Sequence, residues 1–133
     1  MIQHIQLTEI ILYVSDQEKS KEFYEHIFRA KADLHVPGMT EFMISGNCKL
    51  GLMPEAGIAK LLTGKTPHPA TGNGIPRCEL YLYVDDIAYE FENALENDAK
   101  LIQPVTNMDW GDCVCYFSDP DGHIIAFAQK IMQ

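Results

Sequence analysis

Two carboxylates stand at matching places in two nearly identical stretches: Glu9 opens EIILYVSD at residues 9–16 and Glu79 opens ELYLYVDD at residues 79–86. The repeat pairs Glu9 with Glu79, Leu12 with Leu82, Tyr13 with Tyr83, Val14 with Val84 and Asp16 with Asp86. Acids that recur in this way suit three chemistries: ligating a hard cation, moving a proton, or holding a cationic ligand. Other residues offer less. Cys113 and Cys115 share one strand face in WGDCVCYF, but neither they nor Cys48 and Cys78 show CxxC spacing. In a chain with ample core residues all four read as free thiols, not as a disulfide or zinc set, and Cys113 and Cys115 as small buried ones. Gly64-Lys65-Thr66 ends like a phosphate loop, yet six residues separate it from Gly57, more than that motif allows, and no buried strand leads into it. His68 lies between prolines and reads as a solvated loop residue, while His123, unpaired, reads as a turn or strand-edge residue.

The elements that must position the two acids follow from alternation. Ile10, Leu12 and Val14 share one strand face, and Glu9, Ile11 and Tyr13 the other. In the repeat, Leu80, Leu82 and Val84 form the aliphatic face, and Glu79, Tyr81 and Tyr83 the opposite one. An aliphatic face packs under a helix, whereas acids and aromatics suit a cavity lining. Asp16 is the predicted N-cap of a helix reaching Phe28, with Phe23, Tyr24 and Ile27 on one side. Asp86 repeats the cap for a helix reaching Asn97, with Ile87, Phe91, Ala94 and Leu95 on the expected buried stripe. Alternating segments follow each helix, divided by Gly46-Asn47 in the first half and Asp119-Pro120-Asp121-Gly122 in the second. Each half therefore reads as strand, helix and about three strands. Residues 54–76, rich in Pro, Gly and Thr, are expected to be a loop, and residues 58–74 of it a lid over bound molecules.

With 133 residues the chain is long enough for one domain, divided into a module over about 1–57, a linker over about 58–74 and a module over about 75–133. No apolar run is long enough to span a membrane, and the amino terminus lacks a secretory pattern, so a cytoplasmic location is expected. A net charge of −9 argues against nucleic acid and anionic membranes, and favours a neutral or cationic partner.

The tandem modules, the opening TEIILYVSDQEKSKEFYEHIF and the closing DWGDCVCYFSDPDGHIIAFAQ together resemble the vicinal oxygen chelate superfamily, which includes glyoxalase I, extradiol dioxygenases and the fosfomycin- and bleomycin-resistance proteins. The resemblance spans nearly the whole chain. It implies an α+β fold of two tandem βαβββ modules whose curved sheets enclose a cleft, in a homodimer. In its metal-dependent members the first strand of each module supplies one ligand, which falls here on Glu9 and Glu79, and the last strand supplies another. That second position falls on Ala126 in the second module and on about Leu52 in the first. Neither side chain can ligate. The resemblance is therefore strongest to the metal-free, ligand-sequestering branch. On that reading no cofactor is expected, and Glu9, Tyr13, Leu52, Glu79, Tyr81, Tyr83 and Trp110 line a site for a small cationic or aromatic molecule. The alternative is a lyase, isomerase or dioxygenase using a divalent metal held by Glu9 and Glu79 in an altered ligand set.

Overall fold

A computed structural model of the chain describes residues 1–132. The chain divides into two compact units, Met1–Glu25 with Arg29–Asn73, and His26–Phe28 with the chain from Gly74 onward. The first half runs β1 (Thr8–Val14), α1 (Gln17–Phe28), β2 (Leu34–Val36), β3 (Met39–Ser45), β4 (Cys48–Pro54), α2 (Glu55–Leu61) and a 3-10 turn (Pro69–Gly72). The second runs β5 (Glu79–Tyr83), α3 (Ile87–Glu96), β6 (Lys100–Asn107), β7 (Asp112–Ser118) and β8 (Ile124–Lys130). Each sheet places its last strand beside its first, in the orders β1-β4-β3-β2 and β5-β8-β7-β6, with β1/β4 and β5/β8 parallel. The α+β class and the duplicated βαβββ module are as the repeat implies.

The repeated aspartates start both helices. Asp16 accepts the backbone N–H of Lys19 at 3.0 Å, and Asp86 that of Tyr89 at 3.2 Å, each satisfying an amide that the first helical turn leaves without a partner. Gln129 fixes the entry to α3 from β8: its side chain accepts the N–H of Ile87 and donates to the carbonyl of Asp85.

Strand alternation sorts the sheets as expected except at Ile10, which is 37% exposed at the start of the aliphatic face of β1. In the first, Leu12 and Val14 of β1 are buried with Phe42 of β3 and Leu50 and Leu52 of β4. In the second, Leu80, Cys115, Phe117, Ile125 and Phe127 are buried, and the Phe117 ring stands 5.5 Å from that of Phe91 on α3. Burial of this apolar area is the main stabilising contribution in each unit. All four cysteines are free thiols, and burial pushes the Cys115 thiol up to about 11, which leaves it an inert packing group.

Three expectations need correction. Residues 54–76 are not simply a loop, since α2 and the 3-10 turn lie within them: Pro54 ends β4 at the helix N-cap, and Ile58 supplies a buried anchor. Leu95 is 41% exposed and not on the buried stripe of α3. Leu52 is fully buried and lies in register with Leu12, so its side chain belongs to the aliphatic core, not to the face that carries Glu9. Among the described residues, no helix is long and apolar enough to cross a membrane.

Candidate functional site

The two sheets each have an open face, opposite the buried aliphatic one. On the first sheet this face is built around Gly51. Register places Ile11 of β1 and Glu41 of β3 on either side of Gly51, and Glu9 opposite Lys49. The Glu9 side chain lies over the glycine: a Cβ at residue 51 would sit 2.5 Å from Glu9 Oε2, 3.2 Å from Ile11 Cγ1 and 3.3 Å from Met39 Sδ. Glu9 Oε2 is shut off from solvent and has no hydrogen-bond partner. Burial, and then the hydrogen bond to and the negative charge of Glu41, push the Glu9 carboxyl above the ordinary range, with Lys49 opposing. Lys49 itself pairs with Glu41, Nζ to Oε1 at 3.4 Å. The result is a carboxyl pair with one ammonium beside it, held by three strands.

The open face of the second sheet is aromatic. Tyr81 pairs in register with Ala126 and Tyr83 with Ala128, and on β7 Tyr116 and Val114 flank the same two alanines. Val114, Ala126 and Ala128 form a fully buried floor, against which Tyr81, Tyr116 and Met108 pack. Asp112, at the start of β7, organises the edge. Its Oδ2 accepts the Tyr81 hydroxyl at 2.6 Å and the Tyr83 hydroxyl at 2.8 Å, and its Oδ1 faces Lys130 Nζ at 3.4 Å. Trp110 Nε1 donates to the Tyr81 oxygen at 2.9 Å, and the Lys130 ammonium lies 5.0 Å from the centre of the Tyr83 ring. These bonds hold Asp112 below the ordinary carboxylate range, the Tyr81 hydroxyl acting first, while burial and Asp112 raise Tyr81 to about 12. Hydroxyls bonded to an ionised acceptor have fixed directions, so both rings and the indole are held in place.

The structure thus brings Tyr81, Tyr83 and Trp110 together, and sets Glu9 and Tyr13 on the open face of the other sheet, where Tyr13 is partly exposed. Glu79 is exposed, and its negative charge adds to burial in raising Tyr116. Sequence reasoning missed Glu41, Lys49, Gly51, Asp112, Tyr116 and Lys130. For Glu41 and Tyr116 strand alternation alone carried the signal; for Asp112 and Lys130 the signal was the register of β7 against β8, which a single sequence does not contain. His123 stands with Asp119 and Asp121 in the closing turn, one ligand atom of each within 4.8 Å of the others. There Asp119 Oδ1 already accepts the backbone N–H groups of Asp121 and His123, both at 2.9 Å, an arrangement that shapes the turn.

A family of glyoxalase-like domains matches residues 7–132. The chain belongs to the glyoxalase-like family. An uncharacterized protein of Mycobacterium bovis is 26% identical over 125 residues, covering 92% of this chain and 82% of its own. Among solved structures, a glyoxalase-related enzyme from Fulvimarina pelagi has a TM-score of 0.78 at 20% identity, covering 94% of this chain and 88% of that one. A glyoxalase/bleomycin resistance protein/dioxygenase from Nocardioides has a TM-score of 0.75 at 20% identity, covering 98% and 87%. These likenesses establish the vicinal oxygen chelate fold.

Many members of that superfamily hold a divalent metal, and the last strands of the two sheets here add no side-chain ligand to Glu9 and Glu79. The register that aligns Glu79 with Ile124 and Glu9 with Lys49 makes Gly51 the counterpart of Ala126. Neither residue has a side-chain ligand atom, and the carboxylate of Glu9 occupies the space that a longer side chain at residue 51 would need.

Proposed function

We propose that this glyoxalase-like protein binds a small aromatic molecule on the open face of its second sheet, without a complete metal site. The observation that carries the reading is the floor of Val114, Ala126 and Ala128, bordered by Tyr81 and Tyr116 and by a Trp110 indole fixed through Tyr81 to the buried Asp112. The rings of Tyr81 and Tyr116, packed over these small residues, and the indole of Trp110 offer a flat ligand a rigid stacking surface and lose little side-chain entropy when it binds. Of the two ligand chemistries expected, aromatic is better supported than cationic. Lys130 already neutralises Asp112 and lies over Tyr83, and Lys49 neutralises Glu41, so Asp112 and Glu41, the acids held inside the two faces' hydrogen-bonded clusters, carry their own counter-charge. The same reading includes a homodimer, in which a second copy covers the exposed Ile10, Ile11 and Tyr13 of edge strand β1, and a cytoplasmic location, which the four free thiols fit.

Trp110 is the only tryptophan, which makes the test direct. Titration with a neutral naphthol and with a planar cation such as an acridinium should change its fluorescence saturably. The naphthol should bind at least as tightly. Tighter binding of the cation would return the reading to an acidic site, and no response to either would overturn it. Manganese, nickel, zinc and iron(II) should leave thermal stability unchanged; a clear stabilisation would establish a metal site with another ligand set.

A further inference from the structure

The net charge of −9 is unevenly placed. Residues 56–78 hold Lys60, Lys65, Arg77 and His68 but none of the nineteen Asp and Glu residues. Along this segment lies an open surface pocket of about 390 Å³, lined mostly by exposed residues of α2 and the chain that follows it. Ala56, Ala59 and Pro67 give it apolar walls, and Lys60, Thr63, Thr66 and His68 its polar groups. Its volume falls within the range of roughly 300–1,000 Å³ usual for small-molecule sites.

The hydrogen bonds decide which polar groups are available. The Thr63 hydroxyl donates to the carbonyls of Ala59 and Lys60, at 2.9 and 3.0 Å, and the Thr66 hydroxyl donates to that of Pro67 at 3.2 Å. Both hydroxyl protons are therefore engaged. Thr63 also satisfies carbonyls at the end of α2, where bare oxygens would repel an anion. His68 Nδ1 accepts the N–H of Ala70 at 3.1 Å as the cap of the 3-10 turn, so its ring proton sits on Nε2. Among the described residues, no ion pair or hydrogen bond engages the Lys60 ammonium. The pocket thus offers an ammonium and an imidazole N–H above apolar walls, with no carboxylate among its lining residues.

We propose that this pocket binds a small organic carboxylate: Lys60 and the Nε2–H of His68 hold the anion, and a short apolar stem lies against Ala56, Ala59 and Pro67. Charge-assisted donors give such a site its affinity, and the walls give its preference for an organic acid over an inorganic anion. The site is independent of the aromatic face of the second sheet, and neither result below bears on that face.

The test is NMR titration of the whole chain at low ionic strength with hexanoate, inorganic phosphate and hexylammonium. Hexanoate should shift the Ala56 and Ala59 methyls and the His68 ring saturably, phosphate should bind more weakly, and hexylammonium should leave those signals unmoved. Lys60→Ala should weaken hexanoate about tenfold through loss of the charged donor. His68→Asn keeps an oxygen to cap Ala70 but loses the distal donor, and should cost about threefold. The proposal is overturned if no saturable shift occurs, if phosphate or hexylammonium binds as tightly as hexanoate, or if Lys60→Ala leaves the affinity unchanged.

Discussion

Glu9 lies folded onto Gly51 with one oxygen buried and unpartnered, whereas Glu79, at the same place in the repeated strand, stands exposed at the rim of an aromatic floor. The strands around them share sequence and register; the difference comes from the neighbours on the last and third strands. Gly51 leaves a notch that a carboxyl can fill, and Glu41 beside it supplies a partner for the proton. Ala126 leaves no such notch, because Tyr81 and Tyr116 close over it. One duplicated module has thus produced a carboxyl pair on one sheet and an aromatic floor on the other.

If that contrast is right, the second face depends on Asp112 more than on any other residue. Asp112→Ala should give the largest loss of stability of the variants considered, seen as a lower urea midpoint, since it removes the acceptor of two hydroxyls and the counter-charge of Lys130 together. Asp112→Asn, which keeps an acceptor oxygen, should lose less. An Asp112→Ala midpoint equal to the parent's would mean that the network holds nothing in place. Equivalent positions should then respond unequally to added volume. Ala126→Leu overfills a site with no exposure and should cost about 1–3 kcal/mol while abolishing the Trp110 response to naphthol. Gly51→Ala should cost under about 1 kcal/mol, because its severe clash is with the far end of a flexible side chain, which can swing out. Similar costs for the two, measured by urea unfolding, would remove the contrast.

Much of this was readable beforehand. The repeat, the aspartate caps and the alternation of β1 and β5 are local patterns with local causes, and they gave the module and the two faces. The last-strand position in the first half was misplaced by one residue, onto Leu52, and in a strand one residue reverses the face. No turn comparable to DPDG anchors β4, so only pairing with β1 fixes Gly51. Asp112 was invisible for a related reason: an acid at the start of a strand ordinarily faces solvent, and only register brings Lys130 and two tyrosines to it.

The Glu9 carboxyl yields a smaller effect with a definite sign. Its pKa is raised above the ordinary value of 4.5, so on raising the pH the unfolded chain releases this proton before the folded one does. Its contribution to stability therefore declines as pH rises from 4.5 through the folded-state pKa, then levels off. Glu9→Gln should flatten that decline in urea unfolding measured across this range. Gly51→Ala, by releasing Glu9 to solvent, should flatten it too. A decline that persists in both variants would assign it to another group.

The last effect is spectroscopic. Tyr81 is raised to about 12 by burial and by its bond to Asp112, with Trp110 pulling the other way. Ultraviolet difference titration should therefore show a phenol that ionises only near pH 12, above the ordinary value of 10. Stability should fall over that interval, because the unfolded chain surrenders the proton first. Tyr81→Phe should delete the late step, and Tyr83→Phe should keep it, since Tyr83 acts on Tyr81 only as the least of the causes. If Tyr81→Phe leaves the late step intact, the phenol responsible lies elsewhere, and the bond from Tyr81 to Asp112 is not what orients the aromatic face.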